Sequence, residues 1–334
     1  MNDYLRKAII YLIIVAAVIS VITTLTQAQV ELQKINILFF ALSACFFLAS
    51  ILAWIFSWAF LIKKNVKVSF KKLFQIGFSS IYGALTPVQL GAEALRSIQL
   101  KHYFKVSYQE SVSASMVVKG LKFLVLLTVA FFVMAVFFSK ITLAPAVLFA
   151  FLSGFAVISL AVLIFLLPLK KSFGLTIAGF FESLARFIKQ FEVLASFFKG
   201  YSEYLEKTTI SALLITLLLA CLSFLLEFFA LNFAFLSANV EIGLKSLLVL
   251  MILVSILERT PFLPRGIGIV ELVVFNILSI PAFASAQLSA AQIGAAIITF
   301  DIARLVIPTI ASFIALGLFS KGLEAGRHKR TSLL

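Results

Sequence analysis

Charged residues are scarce in this sequence. They make up 13% of its 334 residues, whereas 62% are hydrophobic. An average soluble domain has roughly 25% charged residues. The composition is typical of a polytopic membrane protein, and no stretch has the composition of a separate soluble domain. We therefore expect one integral membrane domain over residues 1–334.

Histidine, aspartate and cysteine are also few, and each shortage excludes a class of enzyme. With only His102 and His328, a zinc site of the HExxH type is impossible, and no Walker or G-x-S-x-G motif occurs. Paired intramembrane aspartates are absent because Asp301 is the only aspartate in an apolar run. Cys45 and Cys221 lie inside apolar runs, where cysteine packs as a small hydrophobic residue. We predict no enzyme activity, no metal and no cofactor.

Long apolar runs are what the sequence has instead. About 20 apolar residues cross a bilayer as a helix, so we predict an all-α fold with six transmembrane helices, at 8–26, 35–62, 112–138, 142–168, 209–236 and 291–320. Between the fourth and fifth spans, residues 170–207 form a cytoplasmic connector. Apolar residues recur there every three or four positions, which predicts one amphipathic helix, at 177–199, on the membrane surface and in contact with lipid.

Two further apolar segments are interrupted. The segment at 73–100 contains Thr86, Pro87 and Gly91, and the break in the segment at 246–284 contains Pro261, Pro264, Gly266 and Gly268. Broken backbone is tolerated at membrane depth only where protein or a water-filled cavity satisfies its polar groups. We predict that each segment forms a re-entrant hairpin; the alternative is that each crosses the membrane completely.

The distribution of basic residues predicts the topology. Nineteen of the 28 lysines and arginines lie on the side that we assign to the cytoplasm and three on the other. This positive-inside bias places both termini in the cytoplasm. We attribute the net charge of +14 to cytoplasmic loops that face anionic lipid and not to nucleic-acid binding.

The two broken segments resemble each other. Pro87 precedes Gly91 by four residues, as Pro264 precedes Gly268. In the predicted topology the two hairpins dip from opposite faces, which indicates an inverted repeat of residues 35–138 and 209–320. Such repeats place a binding site near the midplane where the broken elements meet.

Buried charges identify candidate site residues, because each costs roughly 2.5 to 3.5 kcal/mol at a helix centre. We predict Arg96, Arg265 and Arg304 as phosphate ligands, since arginine suits phosphate oxygens and a new helix start favours anions. The acids that would hold these arginines are Glu93, Glu271 and Asp301. Spacing of three predicts the pairs Glu93 with Arg96 and Asp301 with Arg304. The alternative is that these pairs only lock helices together.

Three other buried charges allow several interpretations. Lys119 and Lys122 either extend to the lipid headgroups or attract phosphate towards the site. Glu227 lies mid-span without a local partner. It is either a protonated structural group, a partner for a cation from a hairpin, or the carrier of a coupling proton.

The motifs at the two breaks resemble those of the lysylphosphatidylglycerol synthase transmembrane-region family, also called flippase-like domain proteins. A T-P-x-x-x-G-E/D-x-x-R-like element is matched by Thr86, Pro87, Gly91, Glu93 and Arg96. A P-x-x-P-G-G-x-G-x-x-E-like element, followed by an arginine and a proline in the last span, is matched by Pro261, Pro264, Gly266, Gly268, Glu271, Arg304 and Pro308. Arg265 stands where the family usually has glycine, and Ala92 interrupts the Gly-Glu pair.

The resemblance implies translocation of a phosphate-bearing lipid, of phospholipid or polyprenyl-phosphate type, across the cell membrane. Membrane lipids are then the main partners, and a glycosyltransferase or lipid-modifying enzyme is a further one. Two other functions stay open: secondary transport of a small soluble anion, and a non-transporting membrane partner of a glycosyltransferase.

The predicted topology is testable by cysteine labelling. Ser139→Cys and Ser285→Cys should both react with a membrane-impermeant reagent added from outside intact cells, because both lie in loops assigned to the outer face. Labelling of either position only after permeabilisation would contradict the topology.

Overall fold

The computed structural model describes residues 29–63, 66–85, 91–137, 145–258, 266–279 and 288–318. These residues fold into helices with short connections. Five helices are long and apolar enough to cross a membrane: Ile37–Lys63, Tyr108–Ala135, Leu152–Leu169, Ile210–Ser237 and Ala290–Leu318. They confirm the second to sixth predicted spans. The predicted first span at 8–26 lies outside the described residues.

In chain order the helices are α1 (Ile37–Lys63), α2 (Phe70–Ser79), α3 (Gly91–Phe104), α4 (Tyr108–Phe137), α5 (Pro145–Leu166), α6 (Lys171–Ala185), α7 (Phe191–Glu206), α8 (Ile210–Ser237), α9 (Leu244–Leu257), α10 (Ile269–Leu278) and α11 (Ala290–Asp301). Helix α11 continues to Leu318 through a π-helical segment, Ile302–Val306. A 3₁₀ turn, Ile81–Leu85, follows α2. In both segments that the sequence marks as broken, the described residues form a short helix before the break and another after it.

Helices α1 and α8 form the central pair, and small polar residues line their contact. The backbone N-H of Asn36 donates to the carbonyl of Ser237. Seven residues further, Ser43 Oγ donates to the Ala230 carbonyl at 2.7 Å. After another seven, the hydroxyl oxygens of Ser50 and Ser223 lie 2.9 Å apart.

The residue numbers rise in α1 as they fall in α8, so the two helices run antiparallel. Seven residues after Ser50 in α1 and seven before Ser223 in α8 are Ser57 and Thr216, which are both buried. A contact that recurs every seven residues is the seam of a left-handed helix pair. Small side chains let two such helices approach closely inside a membrane.

Helices α2 and α3 also run antiparallel. Lys72 Nζ lies 5.2 Å from the centre of the Phe104 ring, at the far end of both helices from the turn. Closer to the turn, Ser79 Oγ donates to Gln99 Oε1 at 3.3 Å. The exposed lysines that flank the first broken segment, Lys71, Lys72, Lys101 and Lys105, therefore lie at the same end of the helix pair.

The connector at 170–207 corrects one prediction. Instead of a single amphipathic helix, it consists of α6 and α7, joined by a turn and packed on each other through the ring of Phe181, which lies 5.5 Å from Phe198 and 5.9 Å from Phe191. The apolar periodicity continues through the turn without glycine or proline, so the sequence pattern alone does not reveal the reversal. Tyr201 fixes α7 to the bundle by donating its hydroxyl to the Phe165 carbonyl at 2.6 Å.

The small side chains of the α1/α8 seam should be essential for stability. Ser43→Leu inserts a bulky group where Ser43 is fully buried, and overpacking of this kind costs about 1–3 kcal/mol. We expect a lower thermal unfolding temperature in detergent. Cys45→Leu, on the exposed face of the same helix, is the matched control and should leave the unfolding temperature nearly unchanged. Equal effects of the two substitutions would contradict the assignment of the seam.

Candidate functional site

At the second break, three carboxylates surround one arginine. Arg304 is fully buried. Its Nε donates to Asp301, its Nη1 to Glu258 and its Nη2 to Glu271, each at 2.7 Å. Asp301 and Arg304 belong to the last span, Glu258 follows α9, and Glu271 lies in the first turn of α10. The arginine therefore ties both sides of the break to the last span.

Arg304 lies in a π-helical segment of the last span. Pro308 has no N-H, and its ring would clash with the carbonyl four residues earlier, which belongs to Arg304. The backbone inserts an extra residue there, and the N-H of Ile307 bonds to the carbonyl of Ile302. Asp301 directly precedes this segment and Arg304 lies within it, so the proline accounts for the local geometry at the cluster.

Two glycines are required where the chain enters α10. Gly266 has φ +67°, and a Cβ there would lie 2.6 Å from the carbonyl oxygen of Leu257, so both its conformation and its contact require glycine. Gly268 has φ +92° and donates its N-H to the Glu271 carboxylate, which caps the helix. At Gly266 the chain therefore lies against the end of α9, and α10 begins three residues later.

At the first break, Arg96 lies against the rings of both tryptophans of the chain. Its guanidinium carbon lies 4.1 Å from the ring centre of Trp54 and 5.1 Å from that of Trp58. Its Nε donates to Ser80 Oγ at 2.9 Å, and the residue is fully buried. Within the described residues, neither Nη1 nor Nη2 of Arg96 has a hydrogen-bond partner, and the same holds for Nε1 of Trp58.

The structure corrects the predicted partner of Glu93. Its Oε1 lies 3.0 Å from Nζ of Lys119 on α4, and it forms no ion pair with Arg96. Beyond this ion pair, neither of its carboxylate oxygens has a hydrogen-bond partner in the part of the chain that is described. Arg96 points towards the tryptophans of α1 instead. The local pair Asp301 with Arg304, in contrast, is confirmed.

Lys122 and Glu227 form an ion pair between α4 and α8. Ser50 donates to the same glutamate at 2.9 Å, and Lys122 Nζ also lies 3.3 Å from Ser223 Oγ. The partner of Glu227 is therefore a cation of a membrane span and not of a hairpin. Lys119 and Lys122 are each about 15% exposed, and each is held in an ion pair with a glutamate of another helix.

Other site predictions fall outside the described residues, namely Thr86, Pro87, Pro261, Pro264 and Arg265. Gly91 begins α3. The sequence interpretation gave no role to Trp54, Trp58, Ser80 or Glu258. A signal for the tryptophans was present, because both stand four residues apart on one face of an apolar helix. The position of Ser80 beside Arg96 depends on the turn between α2 and α3, for which the sequence holds no comparable signal.

Removal of the Arg304 side chain should destabilise the protein strongly. Arg304→Met leaves three carboxylates without their shared cation, and the loss of one partner of a buried ion pair costs about 3–5 kcal/mol. We expect a large drop in the thermal unfolding temperature in detergent. Arg304→Lys keeps the charge and should lose less. An Arg304→Met protein as stable as the wild type would contradict the role of Arg304 as a clamp.

Comparison with known proteins identifies the family. No curated protein and no solved structure matches this chain. The family described as "Lysylphosphatidylglycerol synthase TM region" matches residues 8–312, which include both breaks and all the buried ion pairs described above. The chain is a multi-pass membrane protein that belongs to the lysylphosphatidylglycerol synthase transmembrane-region family.

Proposed function

We propose that this protein moves an anionic, phosphate-bearing lipid across the cell membrane, and that the headgroup passes Arg96. The observation that carries this proposal is the guanidinium of Arg96, which is fully buried with Nη1 and Nη2 lacking partners in the described residues. A buried donor without an acceptor costs about 1–3 kcal/mol, and more when it is charged. A phosphate oxygen between these groups and Trp58 Nε1 would remove that cost.

Local charge supports an anionic ligand at the first break. Of the described buried groups there, Arg96 and Lys119 are cationic and Glu93 is anionic, which leaves one net positive charge. Lys122 and Glu227 neutralise each other. Helix α3 begins at Gly91, five residues before Arg96, and the start of a helix adds positive potential.

The second break has the opposite balance among its described residues. Three carboxylates surround Arg304, so this arginine is already coordinated by anions. We propose that Arg304 positions the second break and that Arg265, which directly precedes Gly266, supplies the phosphate contact there. Lys119 would complete the phosphate site at Arg96, while Lys122 would hold α4 against α8.

We propose that the protein is an inverted repeat with two re-entrant hairpins. In each half, an acid in the first turn of the helix after the break binds a cation of the next long helix: Glu93 with Lys119, and Glu271 with Arg304. The antiparallel contacts of α2 and α3, with lysines at the end opposite the turn, support a hairpin whose two ends lie on the cytoplasmic side. We propose that both termini lie on that side too.

Family membership favours a lipid over a soluble anion, since these membrane domains are associated with lipid handling. The same site chemistry suits the phosphate of a lipid and free phosphate. Transport assays with both kinds of substrate separate the two. A role as a non-transporting partner of a glycosyltransferase predicts transport of neither.

Transport in vesicles tests the proposal. Purified protein in liposomes should translocate fluorescent phosphatidylglycerol or a polyprenyl phosphate, and Arg96→Gln should lower the rate at least about tenfold, because the charge-assisted contact is lost. Lys101→Gln, which removes an exposed cation from the same helix, is the control and should keep the rate. Uptake of inorganic phosphate without lipid movement would favour the soluble-anion alternative. Wild-type rates in Arg96→Gln would refute the mechanism.

Intrinsic fluorescence gives an independent test of binding. Both tryptophans of the chain contact Arg96, so a phosphate bound there should change the tryptophan emission. Short-chain phosphatidic acid should produce a saturable change that short-chain diacylglycerol, which lacks phosphate, does not. The change should be absent in Arg96→Gln. An identical response to both lipids would place the effect outside the phosphate site.

A further inference from the structure

Helix α6 presents two apolar faces, and only one of them packs on other described residues of the protein. Gly174, Ala178 and Phe181 face inward: Gly174 and Ala178 are buried, and Phe181 stacks on α7. A second line consists of Phe173, Phe180 and Phe187, seven residues apart. These rings are 45%, 59% and 86% exposed, so exposure increases towards the turn that joins α6 to α7.

Further exposed apolar side chains continue this surface at the turn. Ile188 is 51% exposed and Val193 72%. Arg186 and Lys189, both exposed, flank Phe187 and Ile188 in the sequence. We call Phe173, Phe180, Phe187 and Ile188 the outer stripe. Large aromatic side chains held out in water would be costly, whereas aromatic and aliphatic residues flanked by cations suit the headgroup region of an anionic bilayer.

The pair of helices α6 and α7, which we call the α6/α7 hairpin, begins at the end of a membrane span. Helix α5 ends at Leu166, a short 3₁₀ turn follows at Leu167–Leu169, and α6 begins at Lys171. Leu167 and Leu169 are both partly exposed, so apolar surface continues from the span into the outer stripe. The bond from Tyr201 to the Phe165 carbonyl holds α7 at this same level.

We propose that the outer stripe is a membrane-binding surface that inserts its aromatic rings into the anionic leaflet beside the end of α5. The occupant is lipid of the same membrane, with Arg186 and Lys189 contacting acidic headgroups. The α6/α7 hairpin is then a fixed interfacial element that lies in the membrane surface. This inference does not depend on the transport proposed above, since it concerns lipid outside the bundle.

Site-directed fluorescence on the full chain in nanodiscs tests the insertion. In a background with Cys45→Ala and Cys221→Ala, an environment-sensitive fluorophore is attached at Phe187→Cys or, for comparison, at Glu182→Cys. Glu182 is exposed on the opposite flank of the inward face of α6. In nanodiscs of phosphatidylglycerol and phosphatidylcholine, the label at position 187 should emit at shorter wavelength than the label at 182. A headgroup spin-labelled lipid should quench it at least about threefold more strongly.

A charge variant tests the role of the cations. Arg186→Gln with Lys189→Gln should reduce the quenching at position 187 in discs that contain phosphatidylglycerol to the level seen in phosphatidylcholine alone, because exposed cations gain affinity from anionic lipid. Equal access of an aqueous quencher to the labels at 187 and 182 would overturn the proposal. That result would mean that water or a protein partner, not lipid, faces the stripe.

Discussion

A charged side chain inside an apolar helical bundle is costly unless an opposite charge accompanies it, and this cost organises the interior of the protein. Lys119 binds Glu93, Lys122 binds Glu227, and Arg304 binds three carboxylates. Most of these contacts join different helices. The ion pairs therefore connect α3 to α4, α4 to α8, and the ends of α9 and α10 to α11, at positions where apolar packing alone would allow sliding.

Arg96 is the exception within the described residues, since no carboxylate lies in an ion pair with it. Two tryptophan faces and one serine hydroxyl contact its guanidinium instead. Aromatic faces stabilise a buried cation, but they accept no strong hydrogen bonds. Packing therefore fixes the position of the guanidinium while its terminal N-H groups stay without acceptors, and these groups suit a phosphate. A carboxylate paired with Arg96 would stabilise the fold more, and it would block another anion from binding there.

The two breaks share the same local features but differ in how their arginines are paired. Each is followed by a short helix with an acid in its first turn, and each acid is held by a cation of the next long helix. At the second break the glycines have positive φ, and the arginine is enclosed by acids. At the first break the arginine belongs to the short helix itself, and two of its donor nitrogens have no partner among the described residues. Among the described residues, the two breaks are thus similar in local layout and opposite in local charge.

The sequence by itself determined the positions of the five described spans, the two breaks and the charged residues that the described part of the bundle buries. These depend on properties of a few adjacent residues: apolar length, helix-breaking proline and glycine, and the cost of a charge within an apolar run. The pair Asp301 with Arg304 followed for the same reason, since both residues lie on one face of one helix. Only the tertiary structure decided that Glu93 pairs with Lys119, that Lys122 pairs with Glu227, and that Trp54 and Trp58 enclose Arg96. It also decided that the connector folds back as two helices. Such contacts join residues far apart in the chain, where several partners of equal charge are available and only the packing of whole helices selects among them.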